Sequence, residues 1–166
     1  GWQVEAAARA LKAGMALDKV LAMLERIRKS AEGMYTLNSL KYLIAGGRIS
    51  HLKGLMASLL QIRPIIAVSK ETGKYYTLTQ ERTFKRAIQK LPEDMLRFFP
   101  EGSTLRVQLL HGKNPEALPA LREAVERHFK CQWLPTVTVA PILGAHTGPS
   151  LIGMCAAPAE LFEGLG

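Results

Sequence analysis

Two glycine-bearing segments carry the residues best suited to binding chemistry. In LKYLIAGGRIS an apolar helical pattern stops at Gly46 and Gly47 and turns directly into Arg48. Paired glycines are typical of backbone that needs a positive φ or a close approach. An arginine fixed just beyond such a corner would offer a charge-assisted hydrogen bond to an anion. The simpler interpretation is a helix C-cap followed by an exposed charge.

The second segment, GAHTGPS, places His146 and Thr147 between glycines. We expect a turn between two apolar strands, where backbone N–H groups, the imidazole and the hydroxyl all offer hydrogen bonds. Taken alone, a solvated histidine in a hairpin turn is the simpler interpretation. Both segments, however, flank strongly apolar stretches, LLQIRPII and VAPIL. Together they suit an amphiphile with an acidic head and a hydrocarbon tail.

The usual catalytic patterns are missing from the sequence. It contains no HExxH, CxxC, GxSxG or P-loop motif. Ser50 and His51 are adjacent and would not face each other on a helix, while Cys131 and Cys155 are isolated and we expect reduced, packed thiols. The four histidines are scattered, which does not predict a metal site. We therefore expect no enzyme and no cofactor, and an enzyme using Ser50 with His51, or Cys131, ranks last among the alternatives.

Composition predicts one globular domain with a basic surface. The 166 residues are 48% apolar, and 22 Lys and Arg residues against 14 acids give a formal net charge of +8. Such a charge favours acidic partners, but the basic residues are scattered, so little supports nucleic-acid binding. Prolines, glycines and a histidine interrupt the longest apolar region, residues 134–159, which excludes it as a membrane helix. We expect a cytoplasmic protein.

The elements that position the two segments are typical of an α+β fold. Apolar spacing predicts helices over residues 2–12, 16–31, 39–45, 51–60, 84–91 and 115–130. Strands are predicted at MYTLN, IRPIIAV, YYTLTQERT, LRVQLLHG, LPTVTVAPILGAH and LIGMCAA. This order predicts a two-layer sandwich in which helices cover a mostly antiparallel sheet, preceded by an N-terminal helical segment.

The sequence also resembles the DegV family of bacterial fatty-acid-binding proteins. The segments LNSLKYLIAGGRIS, LLQIRPIIAVSKETGK and GAHTGPSLIG occur in that family's order, and the resemblance covers residues 3–157. Arg63 stands where the family usually has a lysine. The resemblance implies a long-chain fatty acid buried between two α/β domains. It also implies a separate fatty acid kinase that phosphorylates the presented carboxyl group.

By the same resemblance, Arg48, His146 and Thr147 lie on the head-group side of the ligand. We expect residues 33–166 to form the C-terminal α/β domain and residues 1–32 to lead out of an absent N-terminal domain. Half of the acyl tunnel would then be missing, and its exposed face would favour self-association of the fragment. For most candidate tunnel walls core packing is the simpler interpretation. The candidates are Leu55, Leu59, Ile62, Ile65, Ile142 and Leu143.

One alternative from another functional class stays open at this point. The net charge would also suit a protein-interaction or regulatory module with a basic surface and no lipid ligand. Salt-dependent retention of DNA by the lipid-free protein would favour that alternative.

Overall fold

The computed structural model describes residues 1–49 and 61–164. Within these ranges the chain forms six α-helices and one seven-stranded sheet. The helices are α1 (Trp2–Lys12), α2 (Leu17–Ser30), α3 (Lys41–Ala45), α4 (Phe84–Met95), α5 (Leu118–Glu126) and α6 (Pro141–Thr147). The strands are β1 (Glu32–Thr36), β2 (Arg63–Val68), β3 (Tyr75–Glu81), β4 (Thr104–His111), β5 (Lys130–Trp133), β6 (Val137–Thr138) and β7 (Ile152–Pro158).

The sheet is mostly antiparallel, with strand order β3-β2-β1-β7-β4-β5. Only β5 and β6 run parallel to their neighbour, and both pair with β4. The register places Thr36 beside Ile152, and Ile152 beside His111. The segments that follow β1, precede β7 and follow β4 therefore emerge at the same end of the sheet. The predicted α+β class and mostly antiparallel sheet are confirmed.

Helices α4 and α5 cover one face of the sheet, and this layer holds the larger core. Its buried members include Leu91 and Met95 from α4, Leu121 from α5, and Ile65 and Met154 from the strands. Because side chains alternate along a strand, the next residues face the other way. Thus Tyr35 and Ile66 join Leu43 of α3 in a second cluster on the opposite face.

The α1–α2 hairpin also packs on that opposite face. Its small buried residues Ala6 and Ala10 let α1 approach Val20 and Ile27 of α2 closely. Two polar contacts then join α1 to β4. Trp2 Nε1 donates to Gln108 Oε1 at 3.0 Å, and Arg106 donates to Glu5 at 2.6 Å.

Several predicted elements differ from the structure in type or bounds, and one predicted helix cannot be compared. Most of LPTVTVAPILGAH is not a strand, because only Val137–Thr138 pairs with β4 and Pro141–Thr147 is helical. The predicted helix over residues 115–130 ends at Glu126, and β5 begins at Lys130. Helix α4 continues through Pro92 to Met95. The predicted helix over residues 51–60 lies outside the described residues.

Candidate ligand-binding site

The turn at the end of α3 closes as a helix cap that fixes the position of Arg48. Gly47 has φ +69, its N–H donates to the carbonyl of Ile44, and the N–H of Arg48 donates to the carbonyl of Leu43. These are the two hydrogen bonds of a Schellman motif, which favours glycine at the left-handed position. The first glycine of the pair, Gly46, has an ordinary helical φ of −78. Gly46 therefore needs another explanation.

Gly46 is a glycine because it touches His146, 100 residues further along the chain. A Cβ on Gly46 would overlap Nδ1 of the imidazole. That nitrogen is buried and has no hydrogen-bond partner among the described residues. Since Nδ1 is covered by α3, Nε2 is the ring nitrogen left to meet a ligand. The structure therefore brings the two glycine-bearing segments together.

A second glycine contact joins the end of α6 to α3. We call the region of these two contacts the α3–α6 junction. Gly148 follows α6 with φ 79 and ψ 177, a combination that is essentially restricted to glycine. A Cβ there would overlap the ring of Tyr42. Helices α3 and α6 thus contact each other through two glycines, one at the C-terminal end of each helix.

Arg48 and Thr147 occupy different environments at this junction. The Arg48 side chain is exposed, and its guanidinium donates to the carbonyl of Gly46 at 2.7 Å. Thr147 is buried, and its hydroxyl donates to the carbonyl of Leu143 at 2.9 Å. The hydroxyl proton of Thr147 is therefore used within α6.

The predicted tunnel walls separate into three groups. Ile62 and Leu143 are half-buried, and Ile62 packs against the cluster on the α3 face. Ile142 is 74% exposed. Ile65 is fully buried on the opposite face of the sheet, under α4 and α5. Leu55 and Leu59 lie outside the described residues.

Three residues near the junction were missed by the sequence analysis. Tyr42 looks like one more apolar position of α3, and only its contact with Gly148 shows its role. Asn38 accepts from Arg63 Nε at 2.8 Å, while its N–H donates to the hydroxyl of Ser150 at 3.1 Å. Lys113 lines a cleft beside α6. No local pattern marks such contacts, because their partners are distant in sequence.

The two thiols give no support to nucleophilic chemistry. Both cysteines are free. Burial, with a smaller contribution from the Glu126 carboxylate, raises the pKa of the Cys131 thiol to about 11. Burial also raises the pKa of the Cys155 thiol. Both groups therefore stay protonated at neutral pH, whereas reactive cysteines have lowered pKa values.

The described residues offer neither a metal site nor a membrane-spanning helix. No group of three His, Cys, Asp or Glu side chains in residues 1–49 and 61–164 is placed to hold a metal ion. None of the helices described there is long and apolar enough to cross a membrane.

Comparison with protein families gives one match that spans most of the chain. A family model described as "Uncharacterised protein, DegV family" matches residues 1–159. A DegV domain-containing protein from Deinococcus radiodurans is 34% identical over 158 residues, which is 95% of this chain and 55% of that protein. A second, from Clostridium perfringens, is 32% identical and covers 89% of this chain and 52% of that protein. The chain thus spans about half the length of these relatives.

Solved structures show the same architecture. A DegV family protein from Thermus thermophilus, described with its fatty acid binding, superposes with a TM-score of 0.82 at 25% identity, covering 95% of this chain and 56% of that one. The Fatty Acid Kinase (Fak) B3 protein of Streptococcus pneumoniae, loaded with linoleic acid, gives a TM-score of 0.79 at 19% identity, covering 95% and 55%. At that identity the second likeness shows the fold alone.

Proposed function

This chain belongs to the DegV family, and from that premise we propose that it binds a long-chain fatty acid and presents the carboxyl group to a partner fatty acid kinase. The observation that carries the proposal is the contact between Gly46 and His146. It joins a cation-bearing turn to an imidazole at one end of the sheet, next to an apolar cluster. The Thermus thermophilus protein described with its fatty acid binding supports the ligand class.

The head-group contacts would come from Arg48 and His146. The exposed guanidinium of Arg48 would give a charge-assisted hydrogen bond to the carboxylate, and Nε2 of His146 would give a second hydrogen bond. Thr147 would act indirectly. Its hydroxyl donates to the carbonyl of Leu143, and this hydrogen bond holds the end of α6 in place. These groups orient the carboxylate at the surface, where a second protein could reach it.

The hydrocarbon tail would supply most of the affinity, since burial is worth about 0.8 kcal/mol per methylene. On this side of the sheet the predicted walls are Ile62, Leu143 and Ile142, with Leu55 and Leu59 still predictions. Ile65 would contribute only through the core beneath α4. The proposed ligand therefore lies on the face of the sheet that α3 covers, not on the face that α4 covers.

The division of the chain remains a proposal as well. Because the chain spans about half of its relatives, we propose that residues 33–166 form the C-terminal half of the binding site. Residues 1–32 would then lead out of an N-terminal domain that completes the tunnel. In this account the protein performs no chemistry itself, and the kinase transfers the phosphoryl group in the cytoplasm.

We expect Arg48→Ala to weaken fatty acid binding by about tenfold, because a charge-assisted hydrogen bond contributes roughly 1.5–3 kcal/mol and this one is partly exposed to water. Isothermal titration with oleate would measure the change in the dissociation constant. The matched control is Lys41→Ala, which removes an exposed cation from the first turn of α3. The Lys41 variant should bind within about twofold of the parent protein.

The same titration with oleate, applied to Gly46→Ala, tests the contribution of His146 to binding. Its backbone is already helical, so the new methyl strains chiefly the contact with His146, with a smaller strain against the carbonyl of Tyr42. We expect weaker oleate binding with an unchanged circular dichroism spectrum. Parent-like binding by both Arg48→Ala and Gly46→Ala would remove these residues from the head-group site. It would then favour the alternative of an interaction module with a basic surface.

A further inference from the structure

Two buried hydroxyl groups lack a hydrogen-bond partner on the face of the sheet that α3 covers. The Tyr35 side chain is 8% exposed, and its hydroxyl oxygen is covered. The hydroxyl oxygen of Thr77 is also covered, although the residue as a whole is half-buried. Neither oxygen has a partner within residues 1–49 and 61–164. Because an unpaired buried polar group lowers the stability of the folded protein, each of them needs an explanation.

The register of the sheet directs these two hydroxyls towards each other. Tyr35 on β1 pairs with Ile66 on β2, and Ile66 pairs with Thr77 on β3, so the three side chains share one face. The ring of Tyr35 meets the ring of Tyr75 edge-on, with 6.4 Å between the ring centroids. Tyr75 is two residues from Thr77 and lies on the same face of β3. The Tyr35 side chain therefore extends across β2 to the side where Thr77 lies.

The surroundings of the two hydroxyls are those proposed above for the hydrocarbon tail. Tyr35 belongs to the apolar cluster of the α3 face, and Ile62, a predicted tunnel wall, packs against that cluster. The cluster also contains Leu43, whose carbonyl accepts from the N–H of Arg48. A tail that packs into this cluster from the turn at Arg48 would pass Tyr35 and then cross β2 towards Thr77.

We propose that the bound fatty acid carries a hydroxyl group along its chain, and that Tyr35 and Thr77 select for this group. The inference deepens the proposed function and rests on it. The Tyr35 hydroxyl would donate to the ligand oxygen, and the ligand hydroxyl would donate to Thr77, so one substituent pairs both oxygens. A methylene in the same place would leave both unpaired. Burial, with a smaller contribution from Tyr75, raises the pKa of Tyr35, which keeps its hydroxyl protonated as a donor.

The place of the two hydroxyls in the sheet predicts where the substituent lies on the chain. The proposed head group lies at the α3–α6 junction, where β1 ends and β7 begins. Thr77 is on β3, two strands away from β1, which is roughly 10 Å across the sheet. The substituent therefore belongs to the middle or distal part of the chain. A hydroxyl on the carbon atoms next to the carboxyl group would lie at the junction instead.

The test compares stearic acid with its 3-hydroxy, 10-hydroxy and 12-hydroxy derivatives by isothermal titration. The protein is the longer one of which we propose this chain is the C-terminal part. Tyr35→Phe and Thr77→Val each remove one hydroxyl with little change of shape. Tyr76→Phe is the matched control, because Tyr76 lies on the opposite face and packs against the core beneath α4. Urea unfolding of each variant measures its stability.

We expect the parent protein to bind the 10-hydroxy or the 12-hydroxy acid about tenfold more tightly than stearic acid, because the substituent pairs two buried oxygens. The 3-hydroxy acid should show no such preference. In Tyr35→Phe the preference should fall to within about twofold, and in Thr77→Val it should weaken. Tyr76→Phe should keep the preference of the parent. Tyr35→Phe should unfold at no lower urea concentration than the parent, since the hydroxyl that it loses has no partner.

The contrary results separate this inference from the proposed function. A parent protein that binds stearic acid at least as tightly as both mid-chain hydroxy acids would overturn the inference and leave fatty acid binding standing. So would a preference that Tyr35→Phe and Thr77→Val both retain. A clear loss of stability in Tyr35→Phe would show that an ordered water already pairs the hydroxyl, which also overturns the inference. A parent protein that binds none of the four acids would overturn the proposed function, and the inference with it.

Discussion

Replacing Gly148 with alanine is expected to lower the free energy of unfolding by about 3 kcal/mol or more. Two causes add. The backbone at φ 79 and ψ 177 lies in a region that residues with a Cβ rarely adopt. The added Cβ would also overlap the ring of Tyr42, which packs directly on this glycine. Urea unfolding followed by circular dichroism would measure the loss.

Two further variants identify the cause of that loss. Gly144→Ala adds the same methyl inside α6, where it fits and where alanine is the better helix former, so we expect no loss of stability. Gly148→Ala combined with Tyr42→Ala removes the overlap but keeps the backbone strain, so only part of the stability should return relative to Tyr42→Ala alone. A loss below about 1 kcal/mol in Gly148→Ala would contradict the described junction of α3 and α6.

Removal of the Arg106 side chain is expected to cost about 1–2 kcal/mol, since its partner Glu5 is 42% exposed, and to loosen α1 from the sheet. Arg106 is only 6% exposed, and it donates to Glu5 at 2.6 Å. Its guanidinium also lies 4.3 Å from the ring centroid of Phe162 and 5.4 Å from that of Trp2. One side chain therefore joins α1, β4 and the short 3₁₀ helix Ala159–Phe162 through charge and through cation–π contacts.

The measurement for Arg106→Ala is urea unfolding together with hydrogen exchange of the α1 amides. We expect exchange to speed up in α1 before it changes in α4, because α4 belongs to the core on the other face. Arg106→Met should lose less, since it keeps an apolar stem between the rings. Arg127→Ala removes an exposed pair with Glu123 at 3.5 Å and should be nearly neutral. Equal losses in Arg106→Ala and Arg127→Ala would refute the special role of Arg106.

Much of the fold follows from local patterns in the sequence. The helical spacing of α1 and α2 is regular, and their predicted bounds agree with the structure to within a residue, although Val4, Leu11, Leu17 and Leu21 of those patterns are exposed. Helix α6 was missed because PILGAHT has only seven residues and the TVTVA alternation before it predicts a strand. That alternation pairs only at Val137–Thr138, because β4 ends at His111 and offers no further partner.

The candidate site was predicted as two separate turns, and the contact between them was not. Gly46 and His146 meet because β1 pairs with β7, which a local pattern does not encode. Side chains alternate between the two faces of the sheet along β2, and this alternation puts Ile65 on the face covered by α4 and α5. Ile65 and Ile66 are adjacent and both buried, so hydrophobicity alone does not tell which one faces α3. The structure assigns Ile66 to that face.

The most direct test of the account is native mass spectrometry with organic extraction. It would be applied to this chain and to the longer protein of which we propose it is the C-terminal part. We predict a co-purifying long-chain fatty acid on the longer protein, with less or none on the chain alone if both parts build the tunnel. A longer protein that is empty, and that binds neither oleate nor palmitate when these are added, would contradict the central claim.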